Sequence, residues 1–251
     1  MVGLLSILQC IYGKAVAKAA QMQGDAQEDP AEMAESETMQ TIAIGEEEYR
    51  RCQQILENNR SLLVLVNKEN ALDANYDARL KTICNGRLQA SQWMYEDLCA
   101  MLEAAGEEGY DYWIASAYRS RQRQQELIDD DVAERMEQGK SYDEALAETY
   151  METMPAGYSE HETGLALDIL CSGNMNMDES QAEEPGNQWL ARHCQEYGFI
   201  LRYPADKVSE TEIDYEPWHF RYVGKEAAQY ITENELSLEE FWYIIDFSEK
   251  G

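Results

Sequence analysis

Ser159-Glu160-His161-Glu162-Thr163-Gly164-Leu165-Ala166-Leu167-Asp168 is the stretch on which the fold turns. Residues 165–170 are apolar except for Asp168, which reads as a buried strand. A carboxylate in such a strand is costly unless it is paired or binds a metal. His161 and Asp168 are seven residues apart, and on a straight strand an odd separation points two side chains to opposite faces. They converge only if the chain turns between them. Gly164 is placed to allow that turn, with His161 on a loop and Asp168 on the strand it enters.

A second stretch, Glu216-Pro217-Trp218-His219-Phe220-Arg221-Tyr222-Val223-Gly224, carries another histidine into an apolar strand. Pro217 excludes a regular helix through Glu216 and His219, so the segment must bend to bring the carboxylate near the imidazole. Two of the three histidines of the chain lie in these stretches. Together the stretches supply His161, Asp168 and His219 as three candidate metal ligands, and Glu216 as a candidate base for water. That is the donor set of a catalytic zinc site with one open position. His193, in Trp189-Leu190-Ala191-Arg192-His193-Cys194, has a helical context with no carboxylate or glycine beside it, and reads as structural.

The 251 residues suffice for one sizeable domain with a buried core, plus extensions. The net charge of −29 argues against nucleic acid as a partner and against adsorption to anionic membranes. The six cysteines show no zinc-knuckle spacing and read mainly as small buried hydrophobes. No apolar run reaches the length of a membrane span.

Residues 1–23 form an N-terminal segment whose uncharged start, residues 2–13, fits a leader remnant or a short helix. Residues 24–40 carry six acidic residues, no basic ones and Pro30, which predicts a disordered linker. Residues 41–251 are the expected folded domain. Its predicted helices include one from near Glu46 to Glu57, one over 86–105 with Leu88, Tyr95, Leu98 and Leu102 on a stripe, and one over 120–138. Further helices are expected after the capping box Ser141/Glu144, from Asn187 to Tyr197, and after the capping box Ser237/Glu240. Strands are expected over 61–66, 110–117, 165–170, 199–203 and 218–223. Their irregular mixing with helices predicts an α+β fold, a small antiparallel sheet with flanking helices.

The pattern Ser-x-His-x-x-Gly-x-Ala-x-Asp followed by Glu-x-Trp-His-x-Arg-Tyr-Val-Gly resembles the VanY-type zinc D-alanyl-D-alanine carboxypeptidases, whose fold is shared with the Hedgehog signalling domain. Leu65-Val66-Asn67-Lys68, Ser116-Ala117-Tyr118-Arg119-Ser120 with Gln124, and Tyr197 to Pro204 extend the likeness. It runs from about Leu62 to Phe241.

The resemblance implies one zinc ion on His161, Asp168 and His219, Glu216 as catalytic base, and Arg119 as the cation that meets substrate. Tyr118, Ser120, Gln124, Ser159 and Trp218 fall where the family lines its groove. The implied substrate is a peptidoglycan stem peptide, cleaved by a monomer in the bacterial cell envelope. A tetrapeptide-specific L,D-carboxypeptidase would use the same residues, and a wall-binding module without catalysis would not need Glu216. Serine enzymes of the same specificity need Ser-x-x-Lys, which the chain lacks. One departure is visible: the family has Thr-Gly before its second motif, whereas here Thr211 precedes Glu212.

Overall fold

The computed structural model describes residues 47–248. The chain divides into residues 1–51 and a compact unit, residues 52–251. The expected N-terminal segment and acidic linker lie outside the described residues, as does Cys10.

Helix α1 (residues 47–59) is followed by a hairpin of β1 (Leu80–Ile83) and β2 (Leu88–Ser91), then α2 (Tyr95–Glu107) and β3 (Tyr112–Ser116). Helices α3 (Arg121–Glu137) and α4 (Tyr142–Glu152) form a pair with its own small cluster, Ile128, Val132 and Ala145. Then come β4 (Ala166–Cys171), α5 (Pro185–His193), β5 (Phe199–Leu201), β6 (His219–Tyr222), α6 (Lys225–Glu233) and α7 (Leu238–Ser248). The four-stranded sheet has the order β3-β4-β6-β5 and is antiparallel throughout. This is the α+β architecture expected.

Strand alternation sorts the sheet into two faces. Leu167, Ile169, Phe199, Phe220 and Tyr222 enter the main core with Leu98 and Met101 of α2 and Leu190 of α5. The opposite face receives Asp168, His219 and Arg221. Ile200 on that side joins a second cluster with Cys52 and Ile55 of α1, Ala227 and Ala228 of α6, and Phe241 of α7. The site therefore lies on a sheet held from both sides.

Local signals hold where expected. Ser120 caps α3 by accepting from Arg123 N at 3.1 Å. Ser141 and Glu144 form the capping box of α4. At α7 the Glu240 carboxylate accepts from Ser237 N at 2.7 Å, and Ser237 Oγ accepts from Glu240 N at 3.1 Å.

Other expectations are corrected. Residues 86–105 are not one helix: Leu88 begins β2, and α2 starts only at Tyr95. Residues 61–66 join no sheet. Leu63 and Val66 are buried there, but the carbonyls of Leu62 and Val64 accept from Arg221 Nη2, and that of Leu63 from Trp242 Nε1. Side chains have taken the place of a neighbouring strand. Asn187 does not cap its helix. Glu184 stands at the N-cap position without a side-chain bond to the helix, Pro185 opens the first turn, and the Asn187 amide donates to Pro217 O at 2.7 Å. Cys99 is exposed, whereas Cys52, Cys171 and Cys194 are buried.

Candidate zinc centre

Three pieces of chain converge. A 3-10 turn, Glu160–Thr163, carries His161 and ends at Gly164, whose φ of 71° is left-handed. A side chain there would press on Ser91 N at 3.2 Å, so glycine suits both the turn and the close approach. The turn delivers the chain into β4, where Asp168 sits directly opposite His219 of β6. Opposite residues of an antiparallel pair share a face. Glu216 is reached by a tight turn over Pro217, in which His219 N donates to Glu216 O at 3.2 Å.

His161, Asp168 and His219 are buried, and each offers one ligand atom within 4.8 Å of the others. His161 Nε2 lies 3.2 Å from Asp168 Oδ2, and His219 Nδ1 lies 3.2 Å from Asp168 Oδ1. Ligands about 2.1 Å from a tetrahedral zinc stand about 3.4 Å apart, so two imidazoles and a carboxylate at these spacings fit that ion.

Each imidazole is aimed by its other nitrogen. His161 Nδ1 must donate to the Ala117 carbonyl, 2.7 Å away, which leaves Nε2 for the metal. His219 is turned the other way: its Nε2 faces Glu160 Oε2 at 3.4 Å, leaving Nδ1 on the metal side. Tyr203 packs against the His219 ring at a tilt of 44°, with centroids 4.9 Å apart.

Glu160 is the functional residue that the sequence reading passed over. It is fully buried, and its Oε1 accepts from Arg202 Nε at 2.8 Å and from Arg221 Nη1 at 2.6 Å. Arg202 also pairs with Glu239 through both terminal nitrogens. Burial opposes the charge on Glu160, yet Arg202 and Arg221 hold its carboxyl well below the usual carboxylate range. The available signal was two arginines in apolar strands, since buried cations need a carboxylate.

The two histidines are pushed apart electrostatically. Burial, and then Arg119, lowers His161. Burial also works against the charged form of His219, but its bonds to Asp168 and Glu160 prevail and raise it to about 9. Burial pushes the Glu216 carboxyl up to about 7, with His219 pulling against it and Asp168 adding to it.

Arg119 lies one residue before the N-cap of α3. Its Nη2 stands 3.6 Å from Asp168 Oδ2, its Nη1 donates to Gln124 Oε1 at 3.2 Å, and its buried Nε has no partner. The buried Gln124 is clamped in turn by donating to Met154 O at 2.7 Å. Gln124 thus holds the arginine, and Ser120 caps the helix that carries Gln124. Ser159 is buried at the start of the 3-10 turn, and Tyr118 and Trp218 are half-buried. His193 is structural as expected: half-exposed, stacked on Trp189 and paired with Glu196 at 2.7 Å.

Residues 87–225 match the family model of the VanY D-alanyl-D-alanine carboxypeptidases. The chain belongs to the VanY family. A D-alanyl-D-alanine carboxypeptidase of Enterococcus faecalis is 37% identical over 185 residues, which cover 71% of this chain and 65% of that relative. The chain thus spans about two thirds of its length. A crystal structure of a vancomycin-resistance D,D-pentapeptidase VanY variant from a VanB-type cassette, in complex with Zn(II), superposes with a TM-score of 0.64 at 36% identity. It covers 72% of this chain and 99% of that one. The LD-carboxypeptidase LdcB matches with a TM-score of 0.64 at 34% identity, over 73% of this chain and 86% of that one. The Zn(II)-bound relative and the His161–Asp168–His219 cluster assign the cofactor as zinc. Among the described residues no helix is long and apolar enough to cross a membrane.

Proposed function

We propose that this carboxypeptidase is a D,D-enzyme that removes the terminal D-alanine of peptidoglycan stem peptides in the bacterial cell envelope. In this reading His161 Nε2, Asp168 and His219 Nδ1 hold the zinc. Zinc there supplies a Lewis acid and lowers the pKa of a bound water to about 7. Glu216 Oε2 takes the proton of the attacking water and hands it to the leaving amine. A carboxyl lifted toward 7 by burial suits that exchange. Arg119 receives the negative charge of the substrate, a need made sharper by a net charge of −29 that repels anions.

The observation that carries the reading is how exposure is distributed. The three ligands are buried, while Glu216 and Arg119 are each 22% exposed at the same centre. Glu216 Oε2 stands 3.5 Å from His219 Nδ1, and Arg119 Nη2 stands 3.6 Å from Asp168 Oδ2. A base and a cation therefore flank the ligand cluster on its open side.

The D,D assignment follows the family description and the Zn(II)-bound D,D-pentapeptidase. LdcB supports the alternative of L,D cleavage on tetrapeptide stems. Purified zinc-loaded protein should release D-alanine from a pentapeptide stem faster than from a tetrapeptide stem, and chelator should abolish both. Faster release from the tetrapeptide would reverse the assignment.

A further inference from the structure

The chain has 49 acidic and 20 basic residues, yet residues 78–95 contain Arg79, Lys81 and Arg87 and no acidic residue. This is the β1–β2 hairpin with its flanks, and all three cations are exposed. Each lies over an aromatic ring: Arg79 over Trp93 at 5.1 Å, Lys81 over Tyr95 at 3.4 Å, and Arg87 over Trp113 at 3.8 Å. Trp93 and Trp113 are 45% and 43% exposed, and Leu80 between the cations is 37% exposed. Of the nearby carboxylates, Asp77 reaches Arg79 at 3.8 Å. Asp97 is tied instead to Lys225 Nζ and Tyr222 Oη, at 2.8 and 2.7 Å. Glu96 opens α2 just past the hairpin.

The hairpin is fastened to the site. Tyr118 N donates to Gln89 O at 2.8 Å, and Ser91 N donates to Gly164 O at 2.8 Å. Strand β2 is thus bonded to both segments that carry the functional side chains, next to Arg119 on one and near His161 on the other.

We propose that the β1–β2 hairpin, with Trp113, is a second binding surface that holds the saccharide-bearing, carboxylate-rich polymer from which the stem peptide projects. This rests on the peptidoglycan reading above. The chemistry is complementary. Exposed indole rings offer flat apolar faces to sugar rings, as large solvated aromatics mark binding surfaces. Cations held over those rings offer fixed partners for carboxylates. In a strongly anionic protein, an acid-free cationic strip is where a polyanion can approach without repulsion. Exposed cation–π pairs add little to folding stability, so stability alone does not account for three of them on one hairpin.

The test is co-sedimentation of the zinc-loaded full chain with purified insoluble peptidoglycan, in a Glu216→Gln background that slows turnover by about 10²-fold or more. Two variants are compared: Arg79→Ala with Lys81→Ala, and Trp93→Ala. Each should bind the insoluble polymer about tenfold more weakly, a loss expected when a well-placed aromatic or charged contact is removed. In the Glu216 parent the same substitutions should leave kcat/KM on a soluble pentapeptide stem unchanged. The double charge variant alters only exposed side chains, so it stays informative even if Trp93→Ala fails to fold. Co-sedimentation equal to the parent overturns the proposal, as does an equal loss on the soluble peptide. A parent that cleaves no stem peptide yet binds the polymer through the hairpin would overturn the D,D-carboxypeptidase reading while leaving this surface in place.

Discussion

Glu160 Oε2 stands 3.4 Å behind His219 Nε2, while the other oxygen of the same carboxylate is gripped by Arg202 and Arg221. One buried acid therefore aims a metal ligand and pairs with two arginines, the first of which Glu239 also meets. Glu160→Gln should weaken zinc binding by about 10–100-fold, the usual cost of losing the partner behind a ligand. It should also destabilise the fold by about 3–5 kcal/mol, because buried guanidinium charge loses its carboxylate. Chelator competition and thermal melting measure the two effects. Zinc affinity equal to the parent would remove Glu160 from the centre.

Zinc must displace a proton from His219. In the zinc-free protein that ring is raised to about 9, since its bonds to Asp168 and Glu160 outweigh burial. It is therefore mostly charged at pH 7, whereas His161 is lowered and already neutral. A ligand that must lose one proton makes affinity rise about tenfold per pH unit below its pKa. Apparent zinc affinity should climb from pH 6.5 toward 9 and then level off. Competition titrations, corrected for the chelator's own protonation, give the slope. A flat profile across that range would mean His219 is neutral before zinc arrives.

Much of this was legible in the sequence because the signals were local. Ser120, Ser141/Glu144 and Ser237/Glu240 announce their helices within four residues, and the Gly164 turn sits inside its motif. What was missed depended on distant partners. Residues 61–66 look like a strand, but Arg221 and Trp242, far along the chain, decide where their carbonyls go. Leu88 fits a helical stripe until β1 is there to pair with it. Glu160 reads as one more acid among 49 until Arg202 and Arg221 close on it.

Glu212 occupies a left-handed conformation, with φ 57° and ψ 23°, where the short helix Val208–Thr211 ends. This is the position at which the sequence departs from the Thr-Gly that the family resemblance implies. A glycine adopts that conformation without strain, and Lys68 Nζ, which donates to Glu212 O at 2.7 Å, would keep its bond to the backbone. Glu212→Gly should stabilise the protein by about 0.5–1 kcal/mol, a rise of about 1–4 °C in Tm for a domain of this size. An unchanged or lower Tm would show that the Glu212 side chain compensates for its backbone.

Glu216→Gln keeps the shape of the side chain and removes its basic oxygen. Zinc content should stay at one per chain. Turnover of the pentapeptide stem should fall by about 10²-fold or more, the scale of general-base catalysis. A variant with the kcat of the parent would rule out Glu216 as the base.

Arg119 is expected to read the free end of the substrate. Arg202 precedes the second motif and Arg221 lies within it, and either could have served, but both are buried and bound to Glu160. Arg119 is partly exposed beside Asp168, and its buried Nε lacks a partner. If it binds the terminal carboxylate, Arg119→Ala should cost a free-acid substrate about 1.5–3 kcal/mol more than the matching C-terminal amide. That is about ten- to a hundredfold or slightly more in kcat/KM. If it serves the oxyanion, acid and amide suffer alike, mostly in kcat. An exopeptidase needs a cation for the chain end, which favours the first outcome. Arg119→Lys refines it: lysine keeps the charge but not the fork, so it should recover only part of the acid preference. Measuring both substrates with all three proteins separates the cases. No effect on either substrate would place Arg119 outside the path of the peptide and leave its tie to Gln124 a purely structural one.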